Sequence, residues 1–260
     1  MFANFTVLGI GVGALLFLGI LASLEIGRRV GRRDYGREPD TARAGTAAVE
    51  GAIFGLMGLL LAFTFSGAMQ RWDARRALVV EETNAIGTAW LRIDSLPSDS
   101  QPALRELLRR YTDARLAVYR SLPDVPAARV ELKKAEALQG EIWTYSMAEC
   151  LKPEGDRARL LLLPALNAMI DITTNRTMAL LTHPPLVIYL LLLALVLASS
   201  LMAGVAMSPS AVRSWMHMLC FAAAMSVGVY VIIDLEFPRA GLIRIDAVDQ
   251  ILIDLRTSMH

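Results

Sequence analysis

Two cysteines and three histidines are all that 260 residues offer to thiol, imidazole or soft-metal chemistry. Cys150 and Cys220 are lone thiols, the second inside an apolar run, so neither a disulfide nor a metal cluster follows from them. His183, His217 and His260 are far apart in sequence, which argues against a helical metal site. No phosphate-binding loop, nucleophile elbow or paired-carboxylate motif is present. The reading is therefore of a protein that is not an enzyme and that needs no metal or organic cofactor. Charge of either sign is also missing in excess: 26 Lys and Arg stand against 25 Asp and Glu, a net charge of +1. That balance gives no electrostatic reason to invoke nucleic acid.

What is abundant is apolar surface, 55% of the residues. Four runs are long enough to cross roughly 30 Å of hydrocarbon as helices: Phe5 to Leu24, Gly51 to Gln70, Pro185 to Met207 and Trp215 to Ile233. The first has no basic residue before it and is longer than a usual signal core, so it reads as a retained span. Gly9, Gly11 and Gly13 superficially suggest a dinucleotide fingerprint, but no strand precedes them. Gly9 with Gly13, and Gly51 with Gly55, instead have the small-xxx-small spacing that lets helix backbones approach in lipid.

The second run is the most informative. GAIFGLMGLLLAFTFSGAMQ carries no charge over twenty residues, and RWDARRALVVEETNAIGTAW follows with no turn signal between them. The plainest reading is one helix from about Glu50 to about Asp94, apolar in its first half and amphipathic in its second. Val79, Ile86, Trp90 and Ile93 share one stripe of the amphipathic half. Beyond LPSDSQP, Leu104, Leu108, Tyr111, Arg115, Val118 and Leu122 recur at three- and four-residue steps, with Pro102 suited to a first helical turn. PDVP restarts the chain. Leu132, Leu138, Ile142 and Tyr145 mark a further helix to about Cys150. A last one starts near Asp156, meets Pro164, and carries Met169, Thr173, Arg176 and Leu180.

The expected fold is all-α. Four transmembrane helices are expected, the long second one extending into a membrane-proximal helical bundle inserted between spans two and three. The expected domains are a first transmembrane hairpin over 1–70 (spans 5–26 and 51–70), an extramembrane helical domain over 71–183, a second hairpin over 184–235, and a C-terminal tail over 236–260.

Glu50 to Ser66, followed by Arg71, Asp73, Arg75, Arg76, Val80, Glu82 and Asn84 to Ala89, resembles the bacterial bestrophin-like membrane protein family, and more distantly the second membrane helix of the bestrophin anion channels. Asp234, Glu236, Phe237, Pro238 and Gly241 resemble, in altered order, the acidic-Pro-Phe-Gly segment that follows the last bestrophin span. Bestrophins are pentameric anion channels with a narrow apolar neck. The resemblance therefore implies a homo-oligomer in a bacterial inner membrane that passes small anions. Counting back from Arg71 as the bestrophin pattern requires places Phe63, Leu59 and Gly55 along the neck, and Gly55 departs from the bulky residue expected there. Without the resemblance, Leu59 and Phe63 read as lipid-facing or interhelical.

Arg71, Trp72, Asp73, Arg75 and Arg76 lie where the second apolar run ends. They read either as an interfacial anchor or, repeated around an oligomer axis, as positive charge at a pore mouth. Asp73 has Arg76 within reach along the helix. Glu81, Glu82 and Asn84 read as interhelical hydrogen-bond partners. Asp234 and Glu236 read as a salt-bridged cap beside Arg239, not as a calcium site, because calcium needs more carboxylates together. Arg28, Arg29, Arg32, Arg33, Arg37 and Arg43 place the link after the first span in the cytoplasm by the positive-inside rule, whereas the bestrophin resemblance implies the reverse. A second functional class also fits the missing motifs: a membrane-anchored helical scaffold with no transport activity.

Overall fold

The computed structural model describes residues 2–34, 40–210 and 212–260, with side chains over 9–33, 46–210 and 212–260. Arg37 and Glu38, and the side chains of Asp34, Asp40 and Arg43, lie outside the described residues. Among those described, the α-helices are α1 (Phe2–Asp34), α2 (Asp40–Arg92), α3 (Gln101–Ser121), α4 (Val125–Cys150), α5 (Asp156–Leu181), α6 (Leu186–Ala206), α7 (Trp215–Glu236) and α8 (Gln250–Ser258). No strand occurs among the described residues.

The fusion of the second apolar run with its charged continuation is observed: α2 is one helix of 53 residues. At 1.5 Å per residue it is about 80 Å long. It starts ten residues earlier than Glu50 because TARAGTAAV contains no proline or turn pair to stop it. Among the described residues, four helices are long and apolar enough to cross a membrane.

The chain divides into two compact units. The membrane unit takes residues 3–70 and 183–237. Here α1 meets α6 backbone to backbone. A Cβ on Gly27 would stand 2.0 Å from the Leu201 carbonyl oxygen, and one on Gly204 would stand 2.1 Å from that of Leu24. Only glycine lets two helices approach so closely. The Ser23 hydroxyl donates to the Leu197 carbonyl at 2.9 Å across the same seam. Gly9 and Gly13 do face a neighbouring helix, with Tyr230 of α7 at 3.5 Å from a Cβ built on either. A Cβ built on Gly51 or Gly55 meets no other element within 4 Å among the described residues. On α2, Phe54 meets Phe221 of α7 edge-on with ring centres 6.4 Å apart.

The helical unit takes residues 71–182 and 238–260. The stripe on α2 is buried as its spacing requires: Val79, Ile86, Trp90 and Ile93 are all covered. α3 contributes Leu104, Leu108, Tyr111 and Val118 to the same core, α4 contributes Leu138 and Ile142, and α5 contributes Leu162, Leu166 and Met169. Each such side chain removed from water contributes about 1.5–3 kcal/mol. Local signals set the helix starts. Pro102 occupies the first turn of α3. The Asp124 carboxylate caps α4 by accepting from the Ala127 amide at 3.1 Å. α5 continues through Pro164.

Of the segment 236–260, read from sequence as a C-terminal tail, residues 238–260 fall in the helical unit. Leu252 of α8 is fully buried, and Leu255 lies against Gly87 of α2. Arg256 makes a paired contact with both carboxylate oxygens of Asp113, at 2.8 and 2.9 Å. Arg109 donates to the Met259 carbonyl at 3.0 Å.

Candidate functional site

Two places on the chain carry chemistry beyond packing. The first is the outward face of α2 within the membrane unit. The inward face holds Met57 and Ala68, both buried. Gly55, Leu59 and Phe63, four residues apart, fall on the opposite stripe, and Leu59 and Phe63 are 52% and 67% exposed. Ser66 and Gln70 extend this stripe and are exposed as well, with Gln70 Nε2 3.4 Å from Ser66 Oγ. Gly51 belongs to the same open face. An apolar band therefore gives way to polar groups along one side of a single helix.

The charged residues that follow are put to different uses. Arg76 pairs with Asp73 at 3.6 Å and lies over the Trp72 ring at 4.6 Å from its centre. Arg75 is buried and donates from Nε to the Ala179 carbonyl and from Nη2 to the Thr182 carbonyl, each at 3.0 Å. Those two oxygens belong to the C-terminal end of α5, where carbonyls lack partners within their own helix. Arg71 is half-buried.

The second place is a buried charge cluster in the helical unit. Glu82 is fully buried and receives three donors: Arg115 Nε on one carboxylate oxygen at 2.5 Å, and the Tyr119 hydroxyl at 2.8 Å and Arg176 Nη1 on the other. The Tyr119 ring is surrounded by guanidiniums. Arg176 lies 3.6 Å from its centre, Arg239 5.0 Å and Arg115 5.1 Å. Arg239 also forks onto Asp249 at 2.7 and 2.9 Å and reaches Asp246 at 3.3 Å. Burial acts to raise the Glu82 carboxyl, but Arg115 and Arg176 outweigh it and hold the group below its ordinary range. Burial, and then the Glu82 charge, push the Tyr119 phenol well up, so it stays protonated and donates.

Of the three stalk residues read as interhelical partners, Glu82 alone takes that role; Glu81 and Asn84 are exposed. Within the helical unit Arg239 pairs with Asp249 and Asp246, and within the membrane unit Asp234 accepts from the Tyr230 hydroxyl at 3.1 Å. His183, on the membrane unit, lies 3.6 Å from Glu236 and stacks on Phe237 with ring centres 4.8 Å apart. No three His, Cys, Asp or Glu side chains gather as a metal cage among the described residues.

Arg115 and Arg176 gave a usable signal in the sequence. Each stands on an otherwise apolar helical stripe, and a cation there must meet a buried anion. Arg239 and Asp249 gave none.

Comparison with curated proteins and with solved structures finds no match. A family model for the bestrophin-like domain matches residues 14–249, which takes in most of the first apolar helix, the whole of the other three, the α2 stripe and the Glu82 cluster. The chain is a multi-pass membrane protein of the bestrophin-like family.

Proposed function

We propose that this protein is an oligomeric ion channel whose second membrane helix, repeated around a symmetry axis, lines the conduit. The observation that carries the reading is the outward stripe of α2, where Gly55, Leu59 and Phe63 lead into Ser66 and Gln70. Hydrocarbon disfavours outward polar side chains, while a water-filled lumen or a neighbouring subunit accommodates them. Membership of the bestrophin-like family adds the expectation of anions as the permeant species. Leu59 and Phe63 would form the narrow apolar neck, which opens and closes by wetting and dewetting, and Gly55 would leave its far end wider. Arg71, Arg76 and their symmetry copies would raise the local anion concentration at the mouth. A channel of this kind needs neither a catalytic residue nor a cofactor.

Purified protein in planar bilayers tests the reading. Anion-selective unitary currents that grow in Phe63→Ala support it. No current above background in either protein overturns it and favours the non-conducting scaffold.

A further inference from the structure

The helical unit contains a partly open cavity of about 240 Å³ between the last turn of α3, the segment 239–249 and α8. Three guanidiniums line it, Arg120, Arg239 and Arg244, against two carboxylates, Asp246 and Asp249. Both carboxylates are already engaged. Asp249 is held by the Arg239 fork, and Asp246 lies 2.5 Å from Arg244 and 3.3 Å from Arg239. Arg120 is exposed and has no ion pair or hydrogen bond among the described residues. Arg239 is only 7% exposed, and its Nε–H has no acceptor among the described residues.

We infer that this cavity binds a phosphate group, with Arg120 supplying the guanidinium that no carboxylate among the described residues already holds. Its space is larger than one water needs, so it has room for a tetrahedral oxyanion. Guanidinium forks match tetrahedral oxyanions, and the excess of cations over carboxylates selects an anion. Leu116, Leu122 and Ile253 form an apolar wall, which suits a phosphate carried on an organic body. That body could be a soluble phosphomonoester or a lipid headgroup, and the shared chemistry is the phosphate. The site does not depend on conduction.

The test uses full-length protein in nanodiscs. In discs of phosphatidylcholine, inorganic phosphate is titrated calorimetrically into wild type, Arg120→Gln, and Arg157→Gln, an exposed arginine at the start of α5 that does not line the cavity. In discs doped with phosphatidylglycerol, native mass spectrometry counts the anionic lipid retained by each. Phosphate binding weakened about tenfold or more in Arg120→Gln and unchanged in Arg157→Gln supports a soluble ligand. Phosphatidylglycerol retention lost in Arg120→Gln alone, with no heat from inorganic phosphate, supports the headgroup. Absence of both signals, or equal losses in the two variants, overturns the inference.

Discussion

The Arg176 guanidinium lies 3.6 Å from the centre of the Tyr119 ring, while the hydroxyl of that ring donates to the Glu82 carboxylate that Arg176 also contacts. One tyrosine thus serves a cation with its face and an anion with its edge, and α2, α3 and α5 are joined at a single point. A buried ion pair is stabilising only when its remaining donors and acceptors are met, and here most are.

Removing the anion should be the most damaging single change in the helical unit. Glu82→Ala leaves Arg115 and Arg176 buried beside each other without their shared partner, and is expected to cost about 3–5 kcal/mol. Thermal unfolding of detergent-solubilised protein, followed by circular dichroism, checks this.

Tyr119→Phe separates the two functions of the ring. The cation–π face remains and the hydroxyl donor to Glu82 is lost, so a smaller loss of about 1–3 kcal/mol is expected. A loss equal to that of Glu82→Ala would show that the hydroxyl alone organises the cluster.

Acid should act through the same carboxylate. Its folded pKa lies below the ordinary value of about 4.3, so its contribution is complete above that pH and is lost as pH falls through the lowered folded value. The stability difference between wild type and Glu82→Gln is therefore expected to be constant above about pH 5 and to narrow below about pH 4. Paired melting curves across that range measure it.

In the membrane unit, Gly204→Ala puts a methyl group 2.1 Å from the Leu24 carbonyl oxygen. Backbone on both sides must move, at an expected cost of about 1–3 kcal/mol. Gly11→Ala, where nothing lies within 4 Å, is the matched control and should melt like wild type.

Calcium should not bind beside the fourth span. Among the described residues no three His, Cys, Asp or Glu side chains gather, far from the six to eight oxygens that calcium takes. Calorimetric titration is expected to show no micromolar site; one that disappears in Asp234→Asn would refute this.

The parts of the fold that were legible in the sequence are those governed by short-range periodicity. Val79, Ile86, Trp90 and Ile93 announced the buried stripe of α2, and Leu104, Leu108 and Tyr111 that of α3. The continuity of α2 was legible because no breaker stands between Gln70 and Ala77. Arg239 and Asp249 were not, since they sit in a segment without helical period and reach Tyr119 and Arg176 more than sixty residues away in the chain. Nor was the tightest membrane contact. Gly27 has Gly31, and Gly204 has Ser200 and Ser208, at the same small-xxx-small spacing as Gly9 and Gly13, but spacing within one helix does not say which other helix it meets.

That glycine seam also constrains the order of biosynthesis. Leu24 and Gly204 are about 180 residues apart in the chain, so α1 enters the membrane long before the helix that will seat against it exists. Until α6 emerges, α1 has only lipid, or whatever the insertion machinery offers, along its Gly27 face. All the polar chain of the helical unit before α6 must meanwhile be made and sent to one side. The protein's first span is thus among its last to be locked, and a ribosome stalled before residue 204 should leave α1 open to crosslinking by lipid-phase probes that the finished chain excludes.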